Sequence, residues 1–242
     1  MIKTAIKFLF RKLCYEIHCM PKKIVLSQAS VLEKEQGDDF TRLGNEFRKY
    51  DVIKLHIGCG PRILKGWINI DLHYAHYKEY LKYYTDKYYP EEIRGDKSDF
   101  YAIDITKTGL PLPDNSVEVI FHEDFIEHLN QRDQIIFLAE TLRVLKKGGI
   151  HRVNTPNLLV SMSDHSDFSK GISGVYLDEW NKHIHLNVLT PNILQEIALM
   201  VGYKEVFFNG RNQSKSQLIP LEYRPDPNDR PESGNIFADI IK

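Results

Sequence analysis

From Val52 onward, short runs rich in β-branched residues alternate with segments of helical period, and no other feature of the chain constrains its fold so strongly. Residues 52–57, 67–72, 101–105 and 117–121 read as strands, the fourth entered from the turn signal Pro113-Asp114-Asn115-Ser116. Ile135, Leu138, Ala139, Leu142 and Leu145 recur at helical spacing. Lys146, Lys147, Gly148 and Gly149 then follow as a helix end prefers, with cations in the last turn and glycine beyond it. Residues 150–153 read as a fifth strand, 191–201 as a helix, and 206–208 and 236–241 as the last two strands. Strands separated by helices pair in parallel, because a crossover of helical length returns the chain to the same end of the sheet. The expectation is an α/β fold.

A chain of 242 residues accommodates one large domain, or one domain with a small appendage. The pattern divides it into an N-terminal helical extension, residues 1–50, and an α/β domain, residues 51–242. A net charge of -1 argues against a dedicated nucleic-acid binder, whose phosphate contacts call for a basic excess. No stretch approaches the roughly 18–20 consecutive apolar residues of a membrane span. Cys14, Cys19 and Cys59 are too few and too scattered for a disulfide framework or a cysteine-built zinc site, which suits a reducing, cytoplasmic compartment.

Residues 1–23 stand apart. Lys3, Lys7, Arg11, Lys12, Lys22 and Lys23 are balanced by Glu16 alone, and Ile2, Ile6, Leu9, Leu13 and Ile17 share one helical face. The run lacks the uninterrupted apolar core and small-residue cleavage site of a secretory signal. Two readings stay open. One is a helix packed on its own domain or on a second subunit; the other is a basic amphipathic helix lying peripherally on the anionic inner face of a membrane.

Chemistry is concentrated in Lys54-Leu-His-Ile-Gly-Cys-Gly60 and Gly66-Trp-Ile-Asn-Ile-Asp-Leu72. A strand ending in Gly58-Cys59-Gly60 permits a tight turn whose backbone amides approach a ligand closely. An acid at the end of the next strand, Asp71, is placed to accept hydrogen bonds from both hydroxyls of a ribose. Together they imply a nucleoside-containing cofactor. A nicotinamide dinucleotide fits poorly. The third glycine of a Gly-x-Gly-x-x-Gly pattern is replaced by Ile63, and no basic residue lies inside the turn, although Arg62 is close by. The step from Gly58 to Asp71 is also shorter than the about 20 residues usual in dinucleotide units.

With these motifs the chain resembles the class I S-adenosylmethionine-dependent methyltransferases, at motif level from about Lys54 to Asn157. Asp104-Ile105, Leu110-Pro-Leu-Pro-Asp-Asn-Ser-Val117, Phe125-Ile-Glu-His-Leu129 and Leu142-Arg-Val-Leu-Lys-Lys-Gly-Gly149 follow in the family's order. The wording of the glycine turn and of Gly66-Trp-Ile-Asn-Ile-Asp71 looks most like a subgroup associated with bacterial surface-polysaccharide synthesis. The resemblance implies a Rossmann-like, seven-stranded, mostly parallel sheet with helices on both faces, and S-adenosylmethionine as cofactor. It also implies that Gly58 and Gly60, with Cys59 between them, face the methionine portion and that Asp71 holds the ribose. By the same resemblance Leu72 packs against the adenine, and Asp104 accepts from the adenine amino group with Ile105 beside it. His122 and Glu123 line the methionine end. The chain departs from many relatives where Arg62, after Pro61, replaces a third glycine and narrows the turn.

Methyl transfer from a sulfonium is an in-line displacement at carbon. The donor is already activated, so the protein supplies alignment and exclusion of water. An alcohol acceptor also needs a base for its proton. His122, Glu123, Asp124, Glu127 and His128 cluster after the fourth strand, at the cofactor's methyl end. His128 is the first candidate base because imidazole titrates near neutral pH; otherwise the Glu127-His128 pair supports loop and helix packing. Asp124 is the second candidate, or else a helix-capping acid. His183 and His185, in Asn181-Lys-His-Ile-His-Leu-Asn187, alternate onto one side of an extended segment, and His185 is the third candidate. Two histidines so spaced can hold a metal, but no convincing carboxylate third ligand stands nearby, and no metal is expected.

Tyr74, Tyr77, Tyr80, Tyr83, Tyr84, Tyr88 and Tyr89 crowd one short segment. Tyr77, Tyr80, Tyr84 and Tyr88 fit a helical stripe, which reads either as a wall that stacks on a sugar ring or base, or as the buried face of an amphipathic helix. The expected function is O-methylation of a sugar or sugar-linked group in a surface glycan precursor, with a small-molecule or glycan acceptor and no nucleic acid as partner. A phosphate-type or amine acceptor is the alternative, as is a non-catalytic cofactor-binding role in a membrane-proximal complex. The oligomeric state is not legible.

Overall fold

The computed structural model describes residues 37–80, 89–162, 179–181, 183–222 and 232–242. The amphipathic run 1–23, and Tyr83, Tyr84 and Tyr88 of the tyrosine stripe, lie outside the described residues.

Strand β1 (Lys54–Ile57) pairs in parallel with β2 (Ile68–Asp71) on one side and with β4 (Val117–Glu123) on the other. β3 (Phe100–Ala102) extends the sheet beyond β2, and β5 (Leu145–Pro156) extends it beyond β4, again in parallel. β7 (Asn235–Ile241) runs antiparallel between β5 and β6 (Glu205–Phe208). The order is β3-β2-β1-β4-β5-β7-β6, a seven-stranded, mostly parallel, Rossmann-like sheet. The chain leaves β1 in one direction to reach β2 and returns to the other side for β4. β1 and β4 therefore flank a topological switch point, and ligands of such sheets bind past the strand ends there.

Helix α1 (Asp38–Glu46) has acids in its first turn and sends Leu43 into the core. It also covers the edge strand. Asp39 Oδ2 accepts from the Ala102 amide at 2.8 Å, and the Arg42 guanidinium donates to the Phe100 carbonyl. Bonding an otherwise unpaired edge in this way blocks pairing with a second chain. The α/β packing thus takes in chain from Asp38 onward. The short helix α2 (Ile105–Thr108) precedes β4, and α3 (Gln131–Val144) follows it, started by Asn130, whose Oδ1 accepts from the Asp133 amide at 3.0 Å. α4 (Pro191–Val201) has Thr190 as its cap, Pro191 in its first turn and Gly202 past its end. Phe137, Leu138 and Val144 of α3 and Leu194 and Ala198 of α4 join Leu55, Ile57, Ile120, Val153 and Ala238 of the sheet in one core. On the opposite face Val119 and Phe121 pack under Trp67 and Tyr89, which come from irregular segments.

The stretch 145–149 does not end the helix. Leu145 pairs with Val117, and Gly148 adopts φ +75 with its amide on the Lys242 carbonyl, so the two lysines and two glycines open β5. Gly149 lies so close to the Leu145 side chain and the Glu118 carbonyl that a Cβ would meet both within 3.0 Å. Cations followed by glycine signal a helix end and a tight strand entry alike, and strand pairing decides between them here.

The segment after β6 is pinned to the sheet by one buried guanidinium. Arg152 of β5 donates to both carboxylate oxygens of Glu222 at 2.7 and 2.9 Å, to Asp239 of β7 at 3.3 Å and to the Gly210 carbonyl at 2.9 Å. Bidentate geometry and full use of the donors make a buried ion pair tolerable, since desolvation alone costs several kcal/mol per ion.

Candidate functional site

The glycine turn sits where β1 ends at the switch point. Gly58 adopts φ +61 and Gly60 φ +50, the left-handed region that side chains resist. Their surroundings differ. A Cβ on Gly58 would lie 2.4 Å from the Phe125 ring, whereas a Cβ on Gly60 would meet nothing within 4 Å. Gly58 is therefore needed for close packing of the turn on the segment after β4, and Gly60 keeps space open. Cys59 is buried between them, and burial pushes its thiol pKa up, so it stays protonated.

Asp71, at the end of β2, clasps this turn. Oδ2 accepts from the Gly60 amide at 2.8 Å and Oδ1 from the Leu72 amide at 2.7 Å. Each carboxylate oxygen has a second acceptor direction, so the clasp leaves capacity for hydroxyl donors. Leu72 is 54% exposed and, with Tyr74, Lys97 and Phe100, lines a cavity of about 700 Å³ beyond the ends of β2 and β3.

Asn69, which the sequence reading passed over, holds the intervening loop. It is fully buried, takes the Leu64 amide on Oδ1 at 2.8 Å, and donates to the carbonyls of Leu64, Trp67 and Asp99. An asparagine inside an otherwise apolar strand was the signal for this role. His56 beside it is buried against Phe121 and its pKa is pushed down to about 3 by burial, so it is neutral.

Four of the residues expected at the cofactor make protein contacts of their own. Asp104 caps α2, with Oδ1 accepting from the Thr106 amide and hydroxyl at 3.1 and 2.7 Å. Ile105 is a core residue. His122 is fully buried between Phe125, Phe137 and His151, and burial brings its pKa to about 3. Alternation along β4 explains this: His122 points into the layer under α3, away from the crevice. Glu123 at the strand end accepts from Arg62 at 2.7 Å and from Asn154 at 3.2 Å. Arg62 itself is buried and also donates to the Leu221 carbonyl. The arginine that replaces a glycine thus folds inward and ties the glycine turn to the end of β4.

Beyond Glu123 the chain enters the left-handed backbone region. Asp124 has φ +46, is exposed, and donates its amide to the Asn154 carbonyl at 2.9 Å. The turn of helix that follows, Ile126–His128, is preceded by Phe125 and has no side-chain cap, so Asp124 does not cap it. Glu127 is buried, with Oε2 accepting from the Thr155 hydroxyl at 2.9 Å and its carbonyl accepting from the Leu186 and Asn187 amides. His128 is exposed. Its ring meets His185 at 5.0 Å, and partial burial, with the neighbouring His185 second, holds its pKa below the ordinary value. His185 is buried, with Nδ1 2.7 Å from Glu179 Oε2, and His183 stacks on it at 5.5 Å. The carboxylates that the sequence neighbourhood of the histidines lacked are supplied by Glu127 and Glu179.

An acid that clasps the glycine turn, one open position in that turn and a rim of histidines thus meet at the end of β1 and β4. A family model described as "Methyltransferase domain" matches residues 55–153, the segment that builds both rims up to β5. Residues 55–153 are thus similar to a methyltransferase domain. Proteins described as probable S-adenosylmethionine-dependent methyltransferases resemble it. One from Mycolicibacterium smegmatis is 52% identical over 48 residues, 20% of this chain and 18% of that protein. Another, from Mycobacterium tuberculosis, is 50% identical over 101 residues, 42% of this chain and 32% of that protein. The chain therefore spans about a third or less of these relatives' own length. A solved S-adenosylmethionine-dependent methyltransferase from Archaeoglobus fulgidus aligns over 84% of this chain and 92% of its own, at 16% identity and a TM-score of 0.47.

S-adenosylmethionine is the cofactor of this domain class, and the residues present fit it. The position at Gly60 that a Cβ would fill is open, and the Asp71 carboxylate stands beside it with acceptor capacity to spare. No helix among the described residues is long and apolar enough to cross a membrane.

Proposed function

We propose that the chain is an S-adenosylmethionine-dependent methyltransferase that O-methylates a sugar or sugar-linked hydroxyl of a surface glycan precursor. The observation that carries the transfer reading is the Asp71 clasp on Gly60 at the switch point, with titratable side chains on the opposite rim. The cofactor supplies an activated methyl group on sulfur. Asp71 would hold its ribose, Gly60 would admit its backbone-bound portion, and Arg62 with Glu123 would keep the two rims at a fixed separation. A hydroxyl acceptor gives up a proton as the new bond forms. His128, neutral at working pH because its pKa is lowered, and the exposed Asp124 are the groups placed to take it.

The glycan acceptor rests on the likeness of the Gly58–Asp71 wording to the polysaccharide-associated subgroup. The basic run 1–23 supports a site of action at the inner face of a membrane, where lipid-linked sugars are built. The test is turnover: S-adenosylhomocysteine should accumulate when the full chain meets cofactor and a panel of lipid-linked or nucleotide-linked sugars. His128→Ala should keep cofactor affinity and lose on the order of 100-fold or more in turnover. Methylation of a phosphate or amine acceptor only would overturn the glycan reading, and no turnover with tight cofactor binding would leave a non-catalytic partner.

A further inference from the structure

On the β4 rim, a carboxylate oxygen of Glu127, a ring nitrogen of His128 and a ring nitrogen of His185 lie within 4.8 Å of one another. We infer that these three side chains form a binding site for a divalent first-row cation, with the remaining coordination positions left to water or to an acceptor oxygen.

The donor set comes first. Two imidazoles and one carboxylate are the ligands that ions of the zinc, cobalt and iron kind select, and three protein ligands leave an open position. Spacing agrees with it. His185 Nε2 and Glu127 Oε1 are 4.0 Å apart, too far for a hydrogen bond between them. Ligands at roughly 2.0–2.2 Å from one ion in tetrahedral geometry stand about 3.3 to 3.6 Å from each other. That pair has to close by about half an ångström, and the exposed His128 ring, within 4.8 Å of both, by about 1.5 Å or less.

The outer partners are those that metal-bound histidines require. Glu179 binds Nδ1 of His185 at 2.7 Å, which fixes the tautomer and aims Nε2 at Glu127. Thr155 holds the other oxygen of Glu127 at 2.9 Å. The backbone carries a cost for this arrangement. Ile184 adopts φ +58, a left-handed conformation that is an outlier for a β-branched residue, and its side chain is 70% exposed. The strained residue lies between His183 and His185. Strain of this kind persists where the surroundings over-determine it, commonly at ligand sites.

The inference rests on the methyl-transfer reading only for what fills the open positions: an acceptor hydroxyl bound there would lose its proton more readily. With the ion in place His128 is a ligand, and Asp124 is the remaining candidate to take that proton.

The experiment uses the full chain without a polyhistidine tag, stripped by chelator and dialysed, then titrated with Co²⁺ while visible absorption is followed, and with Zn²⁺ by calorimetry. On the order of one ion per chain is expected, with ligand-field bands of a nitrogen- and oxygen-ligated cobalt. Glu179→Gln should lower affinity roughly 10- to 100-fold, and His185→Ala by more than that. S-adenosylmethionine affinity, measured on the same His185→Ala sample, reports that the variant is folded; the exposed His128→Gln serves if it is not. Absence of saturable binding, or binding that His185→Ala and His128→Gln leave unchanged, overturns the site. Cofactor binding and chelator-resistant turnover without ion binding would refute this inference and leave the methyltransferase reading intact, whereas ion binding without cofactor binding would do the reverse.

Discussion

On the β1–β2 rim, Gly60 and Asp71 meet through a single backbone-to-carboxylate bond between neighbouring strands, eleven positions apart in the chain. On the β4 rim, Glu127 and His128 meet His185 and Glu179 from a segment that arrives only after the fifth strand is complete. The first rim is made from local turn geometry and one acid. The second is made from side chains of separate segments, held by buried hydrogen bonds and a strained backbone. A local device is written compactly in sequence, and an assembled one is not.

That contrast can be broken at the glycine turn. Gly58→Ala combines a left-handed φ with a Cβ placed 2.4 Å from the Phe125 ring. Strain of about 1–2 kcal/mol and overpacking of about 1–3 kcal/mol predict a loss of roughly 2–5 kcal/mol. Thermal melting should then fall by about 5–15 °C. Gly60→Ala, with open space around it, should cost only the strain while lowering cofactor affinity. Equal melting temperatures for the two variants would erase the distinction between the packed and the open glycine.

Asp71→Ala tests the clasp itself. Removing a charged acceptor should weaken S-adenosylmethionine binding roughly 10- to 100-fold by calorimetry, with the circular dichroism of the folded chain retained. Unchanged affinity would show that the ribose lies elsewhere.

The smallest effect per unit is a pH slope shared by both rims. His56 lies under the glycine turn, and His122 and His151 lie under the β4 side, all buried and all with pKa values pushed down by burial, the first two to about 3. In the unfolded chain they take protons near the ordinary histidine value of about 6.5. Stability should therefore be full above that pH and fall as pH drops from about 6.5 toward 3, by at most about 1.4 kcal/mol per pH unit for each histidine. His122→Phe should flatten this slope in chemical denaturation. A slope unchanged by that substitution would mean that His122 titrates alike in both states.

Much of the sheet was legible because its signals are local. The runs ending at Ile57, Asp71 and Phe121, the helix from Pro191 to Val201 and the last two strands all lie within two residues of where they were read. The glycine turn and its place at the end of β1 were legible for the same reason. His122 was not: its place after an apolar run did not say which face of β4 it occupied, and alternation put it under α3. Asp104 was read as a ligand contact, yet a carboxylate two residues ahead of a threonine finds a helix cap close by. Glu123 was committed by Arg62 and Asn154, partners that only the parallel pairing of β1, β4 and β5 brings within reach. The carboxylates around His185 were hidden likewise, since neither Glu127 nor Glu179 is adjacent to it in the chain.

β7 is threaded between β5 and β6 and bonded along both of its sides. During synthesis, β5 and β6 must therefore emerge from the ribosome and wait with bare edges until Asn235 to Ile241 follows them out. A nonsense codon or a proteolytic nick between Phe208 and Asn235 would release a polypeptide that still carries the whole glycine turn and both rims, but that presents two open strands to chaperones and to its own copies.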